Sequence, residues 1–469
     1  MTTFVSVDDF TGTDQSKIDQ AIAAVAATGG TIVFPKRVYT IQSFELSSDI
    51  NVIGNGSTIT RAENLDKYLI TIASGARNVN IEGLIFNGNK ATQTQNNAGG
   101  ILAIHNEDVN ITNCVFYDIA RVAIAIVDSA RFDIKNVKFY NLGKQAAGTL
   151  GVSVEIQSSK DILVENAFTL DSYGEGMSAR RSQRLIFRNH SYSCPSFTTY
   201  DNGLTFTECS EFEIENVEVS YMKMGIEINA CHRFRLSEIN LHNNIKNNLL
   251  ISTHTDTVET LGSNGEISNV VSRDSGEPVG INIIGNHNLS FNNITDNKQA
   301  RFAASGAPGF ELVNVEVKNS TFNVLELTGA RNIRLVNNTI ASRAISNTSY
   351  SMIDLQNKFE AYFQADLNNN DAVNITIPLT AAGGTTFFHG TLEVENTFTP
   401  SASLQFSAKL VHIKLIWDKL YQNIISTLNG STSGRDFQIT GSNNTLNVKN
   451  ISGVSTTLRG RLTGTIAMY

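Results

Sequence analysis

An asparagine that follows an apolar-x pair returns along this chain at Asn113, Asn136, Asn166, Asn189, Asn216, Asn269, Asn293, Asn314 and Asn337. Gly83 and Glu238 fill the same slot in two further periods, and successive steps run from 21 to 31 residues. Between markers the apolar residues alternate with period two, as in Phe212-Glu-Ile-Glu-Asn216, which selects strands over the 3.6-residue pattern of helical repeats. A repeat of this length built from short strands stacks coil on coil, and variable steps are insertions on its loops. Asparagine suits each corner because it tolerates left-handed backbone and hydrogen-bonds its neighbours in the stack. The architecture this predicts is all-β, a right-handed parallel β-helix over residues 55–344.

Residues 1–54 read as a lead-in and cap. Asp14 is placed to cap a helix with apolar face Ile18, Ala21, Ile22 and Val25, and Gly29-Gly30 ends it. Such a helix would hide the raw edge of the first coil. Beyond about residue 345 the spacing is lost and longer strands appear, among them Ala372–Pro378 and Leu410–Trp417, predicting a C-terminal β-sandwich-like domain over 345–469.

With 469 residues and a net charge of −8, the chain is large enough for a long solenoid and poorly suited to nucleic acid. No apolar run is long enough to span a bilayer, and the N-terminus lacks a signal-peptide pattern, so neither membrane insertion nor export by that route is expected. Cys114, Cys194, Cys209 and Cys231 show no metal-ligand spacing; Cys209 and Cys231 fall at equivalent places and should stack as buried thiols. No metal or cofactor is expected.

The stretch from Asp171 to Asn229 carries the candidate chemistry. In register, Glu155, Ser178, Thr205 and Glu227 share one outward column, and Gln157, Arg180, Thr207 and Asn229 the next; Val154, Met177, Leu204 and Ile226 point inward. At the strand mouths Glu175 aligns with Asn202 and Asp201 with Gly174. Coils about 4.8 Å apart and a one-residue offset of about 3.3 Å let Glu175 and Asp201 face one gap, whereas Glu155 and Glu227 lie on the order of 14 Å apart. Glycosidic cleavage needs two carboxyls about 5–9.5 Å apart, one protonated, and their mutual repulsion raises one pKa. Glu175 and Asp201 are therefore the expected catalytic pair. Glu155, Tyr173, Arg180, Tyr200, Asn202, Glu227 and Asn229 are expected to contact substrate, the tyrosines by stacking on sugar rings and Arg180 by holding a sugar carboxylate. Competing roles are turn packing for the tyrosines and an ion pair with Glu155 or Glu227 for Arg180. His190, His232 and His254 read as turn residues.

The segment Phe10-Thr-Gly-Thr-Asp-Gln through Gly29-Gly-Thr-Ile-Val-Phe-Pro35 and Tyr39-Thr-Ile41 resembles the entry to pectate-lyase-like β-helix proteins, over roughly residues 4–340 with the coils behind it. That family includes polysaccharide lyases, hydrolases, uronate epimerases and phage tailspikes. Glu175-Gly176 and Asp201-Asn202-Gly203 resemble the polygalacturonase carboxylate positions, but the Gly-His-Gly and Arg-x-Lys of that family have no counterpart. Tyr173-Gly174 is similar to the start of the mannuronan epimerase motif, without its Asp and His. A β-helix followed by a β-rich terminal domain resembles tailspike depolymerases. The resemblance implies a depolymerase of a bacterial surface polysaccharide, a homotrimer, and a place on a virion tail or outside the cell, while the carboxyl pair points to hydrolysis and a long, acid-studded groove open along several coils to endo action on a chain. A lyase or epimerase, or a non-catalytic adhesin, are the alternatives.

Overall fold

The computed structural model describes residues 3–65, 67–93, 98–143, 150–196, 201–252, 263–285, 287–303, 313–328 and 331–345, and the backbone of the strands between Tyr350 and Met468. Two compact units divide the chain, Met1–Asn282 and Ile283–Tyr469.

The first unit is a parallel β-helix, as the repeat predicts. Helix α1 (Asp14–Ala26) buries Ile18, Ala21 and Val25 beside the first coil. Its cap is Thr13 rather than Asp14: the extended backbone of Thr13 lets its hydroxyl accept from the Ser16 N–H at 3.3 Å. Asp14 instead accepts from Arg37 at 2.7 Å and from the Thr40 N–H at 3.0 Å, which ties the helix to the strand Val38–Ile41.

Behind the cap, each full coil carries an 11-residue strand such as Lys160–Leu170, Gln183–Ser193 or Ser210–Ser220, and a shorter one such as Met177–Arg180 or Leu204–Thr207. Every strand pairs in parallel with its counterpart one coil away. The marker residue bends the long strand: Gly83, Asn113, Asn136, Asn166, Asn189, Asn216, Glu238 and Asn269 all have φ between 51° and 69°. Their amides form a ladder, Asn136 to Asn113 at 3.2 Å, Asn166 to Asn136 at 2.9 Å, Asn189 to Asn166 at 3.0 Å and Asn216 to Asn189 at 2.8 Å. Inside, aromatic rings stack, Phe206 on Phe212 within one coil with centroids 4.5 Å apart and Phe212 on Phe234 between coils at 5.4 Å. Such pairs add about 0.5–1.5 kcal/mol beyond their burial. All four cysteines are free and buried, and the Cys209 N–H donates to Cys231 Sγ at 3.3 Å, so the expected stack forms.

In the second unit the marker is Asn319 rather than Asn314. Asn337 donates to Asn319 at 2.9 Å, while Asn314 donates to Asn288 at a different corner. Both corners carry left-handed asparagines there, so spacing alone does not separate them. Parallel pairing continues to Asn357–Leu367, where Lys358 pairs with Thr339, and the other edge of that strand begins the antiparallel pairing. Asn357–Leu367, Thr456–Met468, Thr386–Thr397, Phe406–Ile416 and Lys419–Asn429 form one antiparallel series, and Ala372–Thr376, Thr445–Asn450 and Phe437–Ser442 another. Trp417 lies outside the described residues.

Candidate active site

The short strands Val152–Gln157, Met177–Arg180, Leu204–Thr207 and Ile226–Asn229 present the outward columns read from the sequence. Glu155 pairs with Ser178, Ser178 with Thr205, and Thr205 with Glu227. Gln157, Arg180, Thr207 and Asn229 follow in the same way. The mouth register also holds: the Gly176 N–H donates to the Asn202 carbonyl at 3.1 Å and the Lys223 N–H to the Asp201 carbonyl at 2.9 Å.

Glu175 is half-buried and accepts hydrogen bonds from the Ser178 and Thr205 hydroxyls. Desolvation pushes its pKa up to about 7, with the Asp201 and then the Glu155 carboxylate adding repulsion and the two hydroxyls opposing. Burial also raises Asp201, opposed by the Lys223 ammonium and the Asn202 backbone and reinforced by Glu227. Among the described residues these are the carboxyls that the surroundings push up, while Asp8, Asp108 and Asp161 are pulled down by arginines.

The remaining expected contacts divide. Glu155, Arg180 and Asn229 stay on the outward face. Arg180 lies 4.0 Å from Glu208, not beside Glu155 or Glu227. Glu227 is clamped: Asn202 Nδ2 donates to one carboxylate oxygen and Asn229 Nδ2 to the other at 2.7 Å. Two expectations are corrected by burial. Tyr173 is only 6% exposed and packs at the turn, so it offers no face to a sugar. Asn202 is 3% exposed, and its amide also donates to Thr205 Oγ1 at 3.2 Å, so it braces the site from beneath. Tyr200 lies outside the described residues, as does His254. His190 is no turn residue: the bend at Asn189 turns it inward, where Nε2 meets the Val164 carbonyl at 2.9 Å and burial lowers its pKa to about 4.

Sequence reasoning missed Lys223. It aligns with Asp201 in the next coil, and the Lys246 N–H donates to its carbonyl at 2.7 Å, so two lysines continue the Asp201 column. Counting the mouth residues back from Ile226 would have found it, since the register already placed Ile226 beside Leu204.

Two concavities of about 670 and 630 Å³ lie on other faces. The first is lined by Asp161, Arg184, Glu211 and Arg233, which close on one another in ion pairs of 2.6 and 2.8 Å. Neither concavity contains Glu175 or Asp201. Among the described residues no group of three His, Cys, Asp or Glu is placed to hold a metal ion, and no helix is long and apolar enough to cross a membrane.

A family model described as right handed beta helix region matches residues 99–261. No curated protein matches the sequence significantly. Among solved structures, the A-module of a mannuronan C-5 epimerase from Azotobacter vinelandii is similar with a TM-score of 0.45 and 15% identity, covering 74% of this chain and 98% of that one. A family 28 exopolygalacturonase from Yersinia enterocolitica gives 0.49 and 10%, covering 74% and 78%. The tailspike protein of an Acinetobacter phage gives 0.36 and 12%, covering 99% and 88%. The family model and the coil geometry agree on the fold: the chain is a right-handed parallel β-helix.

Proposed function

We propose that this protein hydrolyses glycosidic bonds in a polysaccharide, with Glu175 as proton donor and Asp201 as the ionised second carboxylate. The observation that carries this reading is a carboxyl with a pKa of about 7 facing a second carboxyl on the outer face of a β-helix. Glu175, half protonated near neutral pH, gives its proton to the leaving oxygen as the C–O bond breaks. Asp201 acts as base toward water or as nucleophile toward the anomeric carbon. Lys223 keeps Asp201 charged, and the Ser178 and Thr205 hydroxyls hold the Glu175 carboxyl in place. Lys223 and Lys246 continue the Asp201 column, and Arg180 stands outward at the far end of its strand, so cations flank the groove, which suits an acidic polysaccharide such as a bacterial capsule or O-antigen. Action on such a polymer places the protein outside the cell or on a virion tail.

The test is a panel of capsular and O-antigen polysaccharides, with polygalacturonate and alginate included, digested by the purified protein and read by mass spectrometry. Products should carry one added water. Glu175→Gln and Asp201→Asn should each lower turnover about a hundredfold or more with the fold intact. Unsaturated products without added water, or turnover within a few-fold of wild type in both variants, would refute the reading. We further propose a homotrimer, which light scattering on the full chain would exclude by returning a monomer mass.

A further inference from the structure

The outward column that carries Glu155 continues toward the N-terminus through Ala125 and Leu102. Glu155, Ser178, Thr205, Glu227 and Leu102 are all partly exposed, whereas Ala125 is 3% exposed. An outward residue of a solenoid loses its exposure only when something lies across it. Here Ala125 packs with Val122 and Val152 under the partly buried side chains of Tyr68 and Leu102. Gly99 leaves room for the ring, because a Cβ there would stand 2.1 Å from Tyr68 Cε1. Burial pushes the Tyr68 hydroxyl up to about 12, with the Glu155 carboxylate adding to the rise and the Arg121 and Arg61 guanidiniums opposing it. Tyr68 therefore stands across the column one coil beyond Glu155, with an exposed cation and a carboxylate at its rim.

We propose that Tyr68 closes the substrate groove at this end, so that the protein takes its polysaccharide from a chain terminus and releases short oligosaccharides. The inference rests on Glu175 and Asp201 being the cleavage pair, and it replaces the endo action expected from a groove open along several coils. The gap between these two residues lies about two and a half coils from Ala125, on the order of 12 Å at 4.8 Å per coil. That length accommodates about two sugar rings before a chain meets the Tyr68 ring. Glu155 and Arg121 are then the groups positioned to read the terminal sugar, the carboxylate by accepting from its hydroxyls and the guanidinium by holding an acidic substituent. Toward Leu250 the column stays partly exposed, so the rest of the polymer can leave on that side.

The experiment follows the polysaccharide of the panel that is cleaved, comparing wild type, Tyr68→Ala and Gly99→Ala. Size-exclusion chromatography with light scattering tracks the residual polymer, and mass spectrometry reads the products. Wild type should release short, uniform products while the remaining polymer keeps its mass. Tyr68→Ala should lengthen the products and bring an early fall in polymer mass. Gly99→Ala, which displaces the ring without deleting it, should shift the products the same way and covers the case in which Tyr68→Ala does not fold. Cleavage that Glu175→Gln abolishes but that is random along the chain in wild type overturns the closed end alone, as do unchanged products in a folded Tyr68 or Gly99 variant. No cleavage of any polysaccharide in the panel overturns the hydrolase reading and this inference with it.

Discussion

Replacing Glu175 by Gln should make the protein more resistant to unfolding at pH 8 while leaving it nearly unchanged at pH 4. The folded surroundings raise this carboxyl from the usual 4.5 to about 7, chiefly by desolvation. A group whose pKa is raised by folding supports the fold fully below its unfolded pKa and loses that contribution as pH rises through its folded value. The window is therefore about 4.5 to 7, and the loss is about 3 kcal/mol at about 1.4 kcal/mol per tenfold change in proton affinity. Glutamine keeps the shape and can still meet the Ser178 and Thr205 hydroxyls, but carries no charge to desolvate. Melting curves of wild type and variant at pH 4, 6 and 8 test this. At about 2 °C per kcal/mol for a large domain, the advantage of the variant should grow by roughly 6 °C between the extremes. An advantage that is the same at pH 4 and pH 8 would show that ionised Glu175 carries no special cost, and the argument for a buried proton donor would fail with it.

Three further outcomes follow from the geometry. The basic limb of the pH profile of kcat/KM should fall with a midpoint near 7, where Glu175 loses its proton, and the acidic limb should follow Asp201; a profile still rising at pH 8 would contradict the assignment. Tyr192→Phe should stabilise the coil by about 1 kcal/mol in denaturant titrations, because the buried Tyr192 hydroxyl has no hydrogen-bond partner among the described residues; a loss of stability would mean that the hydroxyl is satisfied. Asn189→Ala, at φ 58° and bonded to Asn166 and Asn216, should cost about 2 kcal/mol from left-handed strain and two lost hydrogen bonds; an unchanged midpoint would show the ladder to be incidental.

The coil register was legible because side chains alternate strictly between interior and solvent, so one correct marker sets every residue that follows it. Glu155, Ser178, Thr205 and Glu227 fall in one column for that reason, and Glu175 reaches Asp201 by the same count. Turns obey no such alternation. Tyr173 and Asn202 sit at strand mouths where the chain closes the coil, and whether a side chain folds under the turn or over it depends on packing that periodicity does not encode. Tyr68 was invisible for a related reason. It belongs to the loop before Ile70–Ile72, and only the missing side chain of Gly99 admits its ring to the outward face.

At four places on this β-helix a surface acid is answered by an arginine one coil further on: Asp108 by Arg131 at 2.6 Å, Asp161 by Arg184 at 2.6 Å, Glu165 by Arg188 at 3.0 Å and Glu211 by Arg233 at 2.8 Å. Glu175 has no such answer. The next coil offers it Asn202 in register and Asp201 one residue earlier, an amide and a second acid in place of a cation. Asp201→Asn should therefore lower the pKa of Glu175, since it removes the repulsion of a neighbouring charge. Desolvation, the larger cause, persists in this variant, so the value should stop above the usual 4.5. Carbon-detected NMR titration of the Glu175 carboxyl in wild type and Asp201→Asn measures the shift directly. An unmoved titration would mean that the two carboxyls do not share a gap, and that burial alone holds the proton on Glu175.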